Sequence, residues 1–116
     1  VVHIRSTLKK EMLAFQADEL LYAFSDGNYV VFHLVRENDI QSVRIRNSIS
    51  EIENQLSDIP FYFRCHRGFI VNLNMVASKK GNASGYLLKL KHGHDTIPVS
   101  RKNTHLFRQL MQESPR

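Results

Sequence analysis

Apolar residues in this chain come in short, β-prone runs, each cut off by a polar or glycine-bearing turn before a long helical repeat can establish itself. The run Glu19 to Ser25 is apolar and aromatic, Asp26-Gly27-Asn28 interrupts it, and Tyr29 to Val35 resumes, which reads as strand, turn, strand. A second turn at Glu37-Asn38-Asp39 leads into Ile40 to Arg46, where apolar and polar residues mix as on a half-exposed strand. Phe61 to Arg64 and Phe69 to Val71 are β-rich runs broken by the cationic Cys65-His66-Arg67-Gly68. Met75 to Ser78 and Tyr86 to Lys91 predict a hairpin around residues 81–85, and Pro98 in Thr96 to Val99 suits an edge strand or a strand end. Val1 opens a further β-like stretch.

Two segments break this pattern with helical spacing. Ser48, with Glu51 three residues on, fits a capping box, and Ile49, Ile52 and Leu56 share one helical face, so a short helix is predicted from Ile49 to about Leu56. Ser100 is placed to cap a final helix whose apolar stripe is Leu106, Phe107, Leu110 and Met111. The expectation is a mainly β chain with two short helices.

A length of 116 residues corresponds to one domain spanning 1–116, large enough for a core without disulfide or metal staples, and a lone cysteine cannot form an internal disulfide. With 42% hydrophobic and 23% charged residues the composition is that of a folded protein, not a disordered tail. Nothing approaches the ~20 consecutive apolar residues of a membrane span, and no signal peptide opens the chain, so a cytoplasmic protein with no membrane partner is expected. Because it begins at Val1 without an initiator Met, the chain is expected to be a piece of a longer protein.

Charge divides the chain. Residues 1–60 carry six basic and nine acidic side chains, net −3, whereas residues 61–116 carry ten basic side chains against Asp95 and Glu113, net +8. A positive field concentrated in one half attracts phosphate backbones or acidic surfaces.

Motifs for catalysis are weak. Cys65 and His66 are adjacent, but neighbours on an extended strand point to opposite faces and no third group orients them. His92, His94 and Asp95 fall short of a metal-ligand set, and Asn82-Ala83-Ser84 matches a glycosylation sequon that matters only in a secreted protein. No phosphate-cradling glycine loop and no nucleophile elbow occurs, so neither an enzyme nor a cofactor or metal site is expected. What remains are three polar loops: Asp26-Gly27-Asn28-Tyr29, His66-Arg67-Gly68 and Ser100-Arg101-Lys102-Asn103. Their side chains are of the types that read base edges and hold phosphates. Turn chemistry alone would also explain Asn28, and salt bridges would explain Arg67 and Arg101, although acidic partners are scarce in that half. Phe61, Tyr62, Phe63 and Phe69 could stack on bases, but strand alternation favours a place in the core.

Three blocks together resemble a known family: LLYAFSDGNYVVFHL at residues 20–34, FYFRCHRGFIVNLNMV at 61–76 and IPVSRKNTHLFRQL at 97–110. They are similar to the LytTR DNA-binding domain, the output module of bacterial response regulators, over about residues 20–110. The resemblance implies an elongated, mainly β fold of successive short antiparallel sheets with two short helices. It also implies binding of double-stranded DNA through loops that enter successive major grooves. Carried over by position, the base-reading residues are Asn28, Tyr29, Val30, Arg67 and Arg101, with neighbouring Lys102; phosphate contacts are expected from Lys102, His66, Gly68, Ser100, Asn103, Lys79 and Lys80. Further implied partners are a second protomer on an adjacent half-site of a direct repeat and an upstream receiver or sensor domain in the full-length protein. Phe24 and Gly68 depart from the family pattern, in which an acidic residue often precedes the first loop and Ser commonly follows the Arg67 position. Competing expectations are a basic β-rich module that binds RNA or an acidic protein, and, more remotely, a hydrolase built on Cys65 and His66.

Overall fold

In the computed structural model, residues 1–8 and 12–113 are described. Ten strands and two α-helices follow in the order β1 (Val2–Arg5), β2 (Met12–Phe15), β3 (Leu20–Asp26), β4 (Tyr29–Arg36), β5 (Asp39–Arg46), α1 (Ile49–Gln55), β6 (Tyr62–His66), β7 (Phe69–Asn72), β8 (Val76–Asn82), β9 (Gly85–Leu90), β10 (Thr96–Val99) and α2 (Thr104–Glu113). All strand pairs are antiparallel. They form a β1-β2 hairpin, a five-stranded sheet in the order β5-β4-β3-β7-β6 and a three-stranded sheet in the order β10-β9-β8. The molecule is longest along one axis, 41 × 30 × 25 Å, in keeping with the expected elongated series of small sheets.

Strands β3, β4 and β7 of the five-stranded sheet are buried on both faces, which is why they read as nearly continuous apolar runs, whereas edge strand β5 is largely exposed. Ala23, Val30, Phe32, Leu34 and Ile70 face one cluster, closed by Ile4 and Phe15 of the hairpin and by Ile49 and Ile52 of α1. Tyr22, Phe63, Cys65 and Val71 face a second, closed by Leu88 and Ile97 of the three-stranded sheet and by Phe107 of α2. A bulge lets β3 serve both: the register slips between Leu20 and Tyr22, so Leu21 and Tyr22 both turn to the second cluster. Buried Asn72 donates from Nδ2 to the Leu20 carbonyl at 2.9 Å, satisfying a group beside the slip.

Several local expectations hold and others shift. The β4–β5 turn has Glu37 and Asn38 at φ 52° and 69°, the left-handed pair of a two-residue hairpin turn. Ser48 caps α1, its Oγ accepting from the Glu51 N–H at 3.1 Å, but the return half of the capping box is absent. The Ser48 N–H donates to Asn47 Oδ1 at 2.8 Å, and Glu51 Oε2 accepts instead from Gln55 Nε2. Strand β2 was not expected from its sequence. Strand β8 runs to Asn82 and the turn is only Ala83-Ser84; at Gly81 any Cβ would lie 2.2 Å from the Gly85 carbonyl oxygen, so only glycine fits. Ser100 does not cap a helix N–H: it precedes a 3-10 turn at Arg101–Asn103, and α2 starts after it. Pro98 lies on β10, an edge strand, as expected.

Ile52 is fully buried and anchors α1 to the first cluster. Its replacement by Ala is expected to cost about 2–5 kcal/mol, read as a lower urea midpoint at unchanged slope.

Candidate nucleic-acid interface

Backbone hydrogen bonds gather the three polar loops at one end of the central sheet. Strands β3 and β7 pair through Phe24 and Phe69, and the next bond, Ser25 N–H to the Gly68 carbonyl at 2.9 Å, ties the β3–β4 turn to the β6–β7 turn. The third loop joins at β6: the Cys65 carbonyl accepts from the Ser100 N–H at 2.9 Å and from Asn103 Nδ2 at 3.1 Å. A bulge in β6 between Phe63 and His66 breaks the ladder next to this carbonyl.

In the first loop Asn28 is exposed, and its carbonyl accepts from the Asn47 N–H at 3.1 Å. Tyr29 is half-buried, with the Arg44 guanidinium 4.5 Å and that of Arg46 5.7 Å from its ring centre. Arg44 also pairs with Asp26 at 3.3 Å. Val30 has no exposed surface and belongs to the core, so strand alternation removes its side chain from any base-reading role.

In the second loop Arg67 is exposed, while Gly68 has its polar groups engaged within the chain. Its N–H donates to His66 Nδ1 at 3.1 Å and its carbonyl accepts from Ser25. The Gly68 N–H, expected to meet a phosphate, thus has a partner within the chain. The same bond makes His66 Nδ1 an acceptor, which leaves Nε2 as the ring's other polar atom.

In the third loop Arg101 and Lys102 are exposed. Ser100 and Asn103 are half-buried and face inward: Asn103 Nδ2 donates to Ser100 Oγ at 2.8 Å as well as to the Cys65 carbonyl. Both residues, expected as phosphate ligands, also hold the loop on β6. A cleft of about 440 Å³ opens between the second and third loops, lined by His66, Arg67, Lys102 and Leu106 among others. Lys79 and Lys80 lie on β8; Lys79 Nζ sits 5.4 Å from the Tyr86 ring centre, and Thr104 Oγ1, donating to the Ala83 carbonyl at 3.0 Å, joins the tip of that hairpin to the third loop.

Below the turns lies a stack of rings. His33 sits 4.5 Å from Tyr22 and 5.8 Å from Phe24, and Phe24 is 5.9 Å from Phe69. Phe24, the departure from the family pattern, thus packs beneath the first two loops. Burial lowers the His33 pKa against the opposing pull of Asp95, whose carboxylate accepts from the Tyr22 hydroxyl at 2.6 Å. That bond adds to burial in raising the Tyr22 pKa.

The profile of the LytTr DNA-binding domain family matches residues 10–112. The chain belongs to this family. It is 30% identical over 95 residues to the transcriptional regulatory protein YpdB of Escherichia coli K12, and equally to that of Shigella flexneri. The match takes in 81% of this chain but only 37% of those relatives' length. A solved structure, the LytTr DNA-binding domain of a protein described as a methyl-accepting/DNA response regulator from Bacillus cereus, has the same fold. Its TM-score is 0.73 at 22% identity, over 96% of this chain and 97% of that one. This LytTr domain departs from its sequence-based reading chiefly at Arg44 and Arg46. Both lie in the acidic half, yet pairing of β5 with Tyr29 and Val31 brings them to the first loop. The pairing of Arg64 with Glu53 was also missed, because it joins a strand to a helix 11 residues away.

Cys65 is fully buried, and burial pushes its thiol up to about 12. With almost no thiolate at pH 8, the folded protein is expected to resist iodoacetamide and to label readily in urea. Rapid native labelling would revive a nucleophilic role beside His66.

Proposed function

We propose that this chain is the sequence-specific duplex-DNA-binding domain of a bacterial transcriptional regulator, and that it makes and breaks no bonds itself. The observation that carries this reading is that three loops, each presenting an exposed Asn28, Arg67 or Arg101, are bonded to one another through the backbone at one end of the sheet. Arg67 and Arg101 have the forked donors that suit guanine edges, and Asn28 can exchange a pair of hydrogen bonds with adenine. Tyr29, held under two guanidinium groups, flanks the first contact. Lys102, His66 Nε2, Lys79 and Lys80 contribute phosphate contacts, and Arg44 and Arg46 join them beside the first loop. The arrangement suits loops that enter successive major grooves, with a second protomer on the adjacent repeat and an upstream receiver or sensor domain controlling occupancy in the cytoplasm.

Duplex DNA is favoured over single-stranded RNA by the disposition of the rings. Phe63 is buried, and Phe24 and Phe69 stack on each other rather than forming a free platform.

Selection from a random duplex library, followed by anisotropy titration at several salt concentrations, tests the reading. Arg67→Ala and Arg101→Ala are each expected to cost about 1–3 kcal/mol on the selected site and to relax specificity there. Lys102→Ala and Arg44→Ala should weaken all sequences and flatten the salt slope by about 1 each. Full cognate affinity in both of the first two variants would sink the assignment.

A further inference from the structure

We infer that Arg64 is a positioning residue for base reading, and that with Glu53 it makes α1 a spacer between the first two reading loops. The inference rests on the functional reading above. Arg64 lies inside the bulge of β6 with its side chain 21% exposed. Its guanidinium reaches three acceptors at once. Nη1 donates to Glu53 Oε1 at 2.7 Å, Nε donates to the carbonyls of His66 and Arg67 at 3.2 Å each, and Nη2 donates to the Arg67 carbonyl as well. The backbone of the reading turn is thereby clasped from within, while the Arg67 side chain stays exposed. Only a planar fork can do this; an ammonium group on a lysine stem cannot hold both carbonyls and a carboxylate in one plane.

Glu53 belongs to α1, and the other end of that helix is tied to the first loop. Asn47 is buried just before the Ser48 cap. Its N–H donates to the Asn28 carbonyl at 3.1 Å, its Nδ2 to the Arg5 carbonyl at 2.9 Å, and its Oδ1 accepts from the Ser48 N–H. With Ile49 and Ile52 seated in the core, α1 is a fixed strut: Asn47 latches it to the Asn28 turn and Glu53–Arg64 latches it to the Arg67 turn. Loops that read neighbouring bases need a constant separation, because an error of an ångström misaligns paired hydrogen bonds. The Glu53 carboxylate is half-exposed, so its ion pair contributes little to global stability, and its effect falls on the geometry of the turn.

The test compares Arg64→Lys, Arg64→Ala, Glu53→Ala and the double variant Glu53→Ala/Arg64→Ala with the parent protein, on the selected duplex and on an unrelated one. Arg64→Lys keeps the charge and loses the fork. It is expected to weaken selected-site binding about tenfold, as befits the loss of one or two charge-assisted bonds, and to leave unrelated-duplex affinity and salt slope unchanged. Discrimination should fall at the base pairs affected by Arg67→Ala and persist at those affected by Arg101→Ala. Glu53→Ala should relax the same base pairs by a smaller factor, and the double variant should lose no more than Arg64→Ala alone. Circular dichroism and melting check that each variant is folded; should an Arg64 variant fail to fold, the exposed Glu53→Ala change decides the matter alone. Parental selectivity in Glu53→Ala or Arg64→Lys would overturn the inference and leave the functional reading standing. Uniform weakening on both duplexes, with a flatter salt slope in Arg64→Ala, would make Arg64 a phosphate contact and overturn it too. If the parent protein selects no motif, the functional reading falls, and the inference falls with it.

Discussion

The carbonyl oxygen of Cys65 holds the candidate interface together. It sits where a bulge interrupts the pairing of β6 with β7, and accepts instead from the Ser100 N–H and from Asn103 Nδ2. A buried carbonyl left without a partner would be costly, so the bulge and the third loop need each other. The residue before it, Arg64, clasps the second loop, and Gly68 passes the connection to Ser25 and the first. One irregular strand thus fixes the mutual placement of three turns that lie far apart in the chain.

Rigidity at this end has a clear energetic source. Strands β3, β4 and β7 at the middle of the central sheet are buried on both faces, by the β1-β2 hairpin and α1 on one side and by the second sheet and α2 on the other. Loops anchored to so closed a core lose little additional entropy when they meet a ligand, which favours affinity without new contacts. The ring stack of Tyr22, His33, Phe24 and Phe69 extends that support to the base of the first two turns. Phe24 fits this arrangement because it adds apolar area beneath the turns.

Electrostatics divide differently in space than along the chain. The net charge of −3 over residues 1–60 suggests an indifferent half. Yet the antiparallel register of β4 and β5 sets Arg46 opposite Tyr29 and Arg44 opposite Val31, beside the first turn. The positive surface is assembled from both halves, and Glu53, near the second loop, is occupied by Arg64.

What the sequence by itself determined is local. Turn residues at 26–28 and 37–38, alternation on β9, the Ser48 cap, and the apolar faces of both helices are set by interactions within a few positions, where periodicity and backbone preference decide. The three polar loops were legible for the same reason: charged and amide side chains between β-prone runs have nowhere else to go. Tertiary structure alone decided where each loop side chain lies. Val30 is core because its strand is buried on that side; Ser100 and Asn103 turn inward because a carbonyl 35 and 38 residues away requires donors. Arg64 meets Glu53 across 11 residues because a helix and a bulged strand pack together. Hydrogen bonds of this kind depend on where the backbone has been carried by burial of the core, and no local pattern encodes that position.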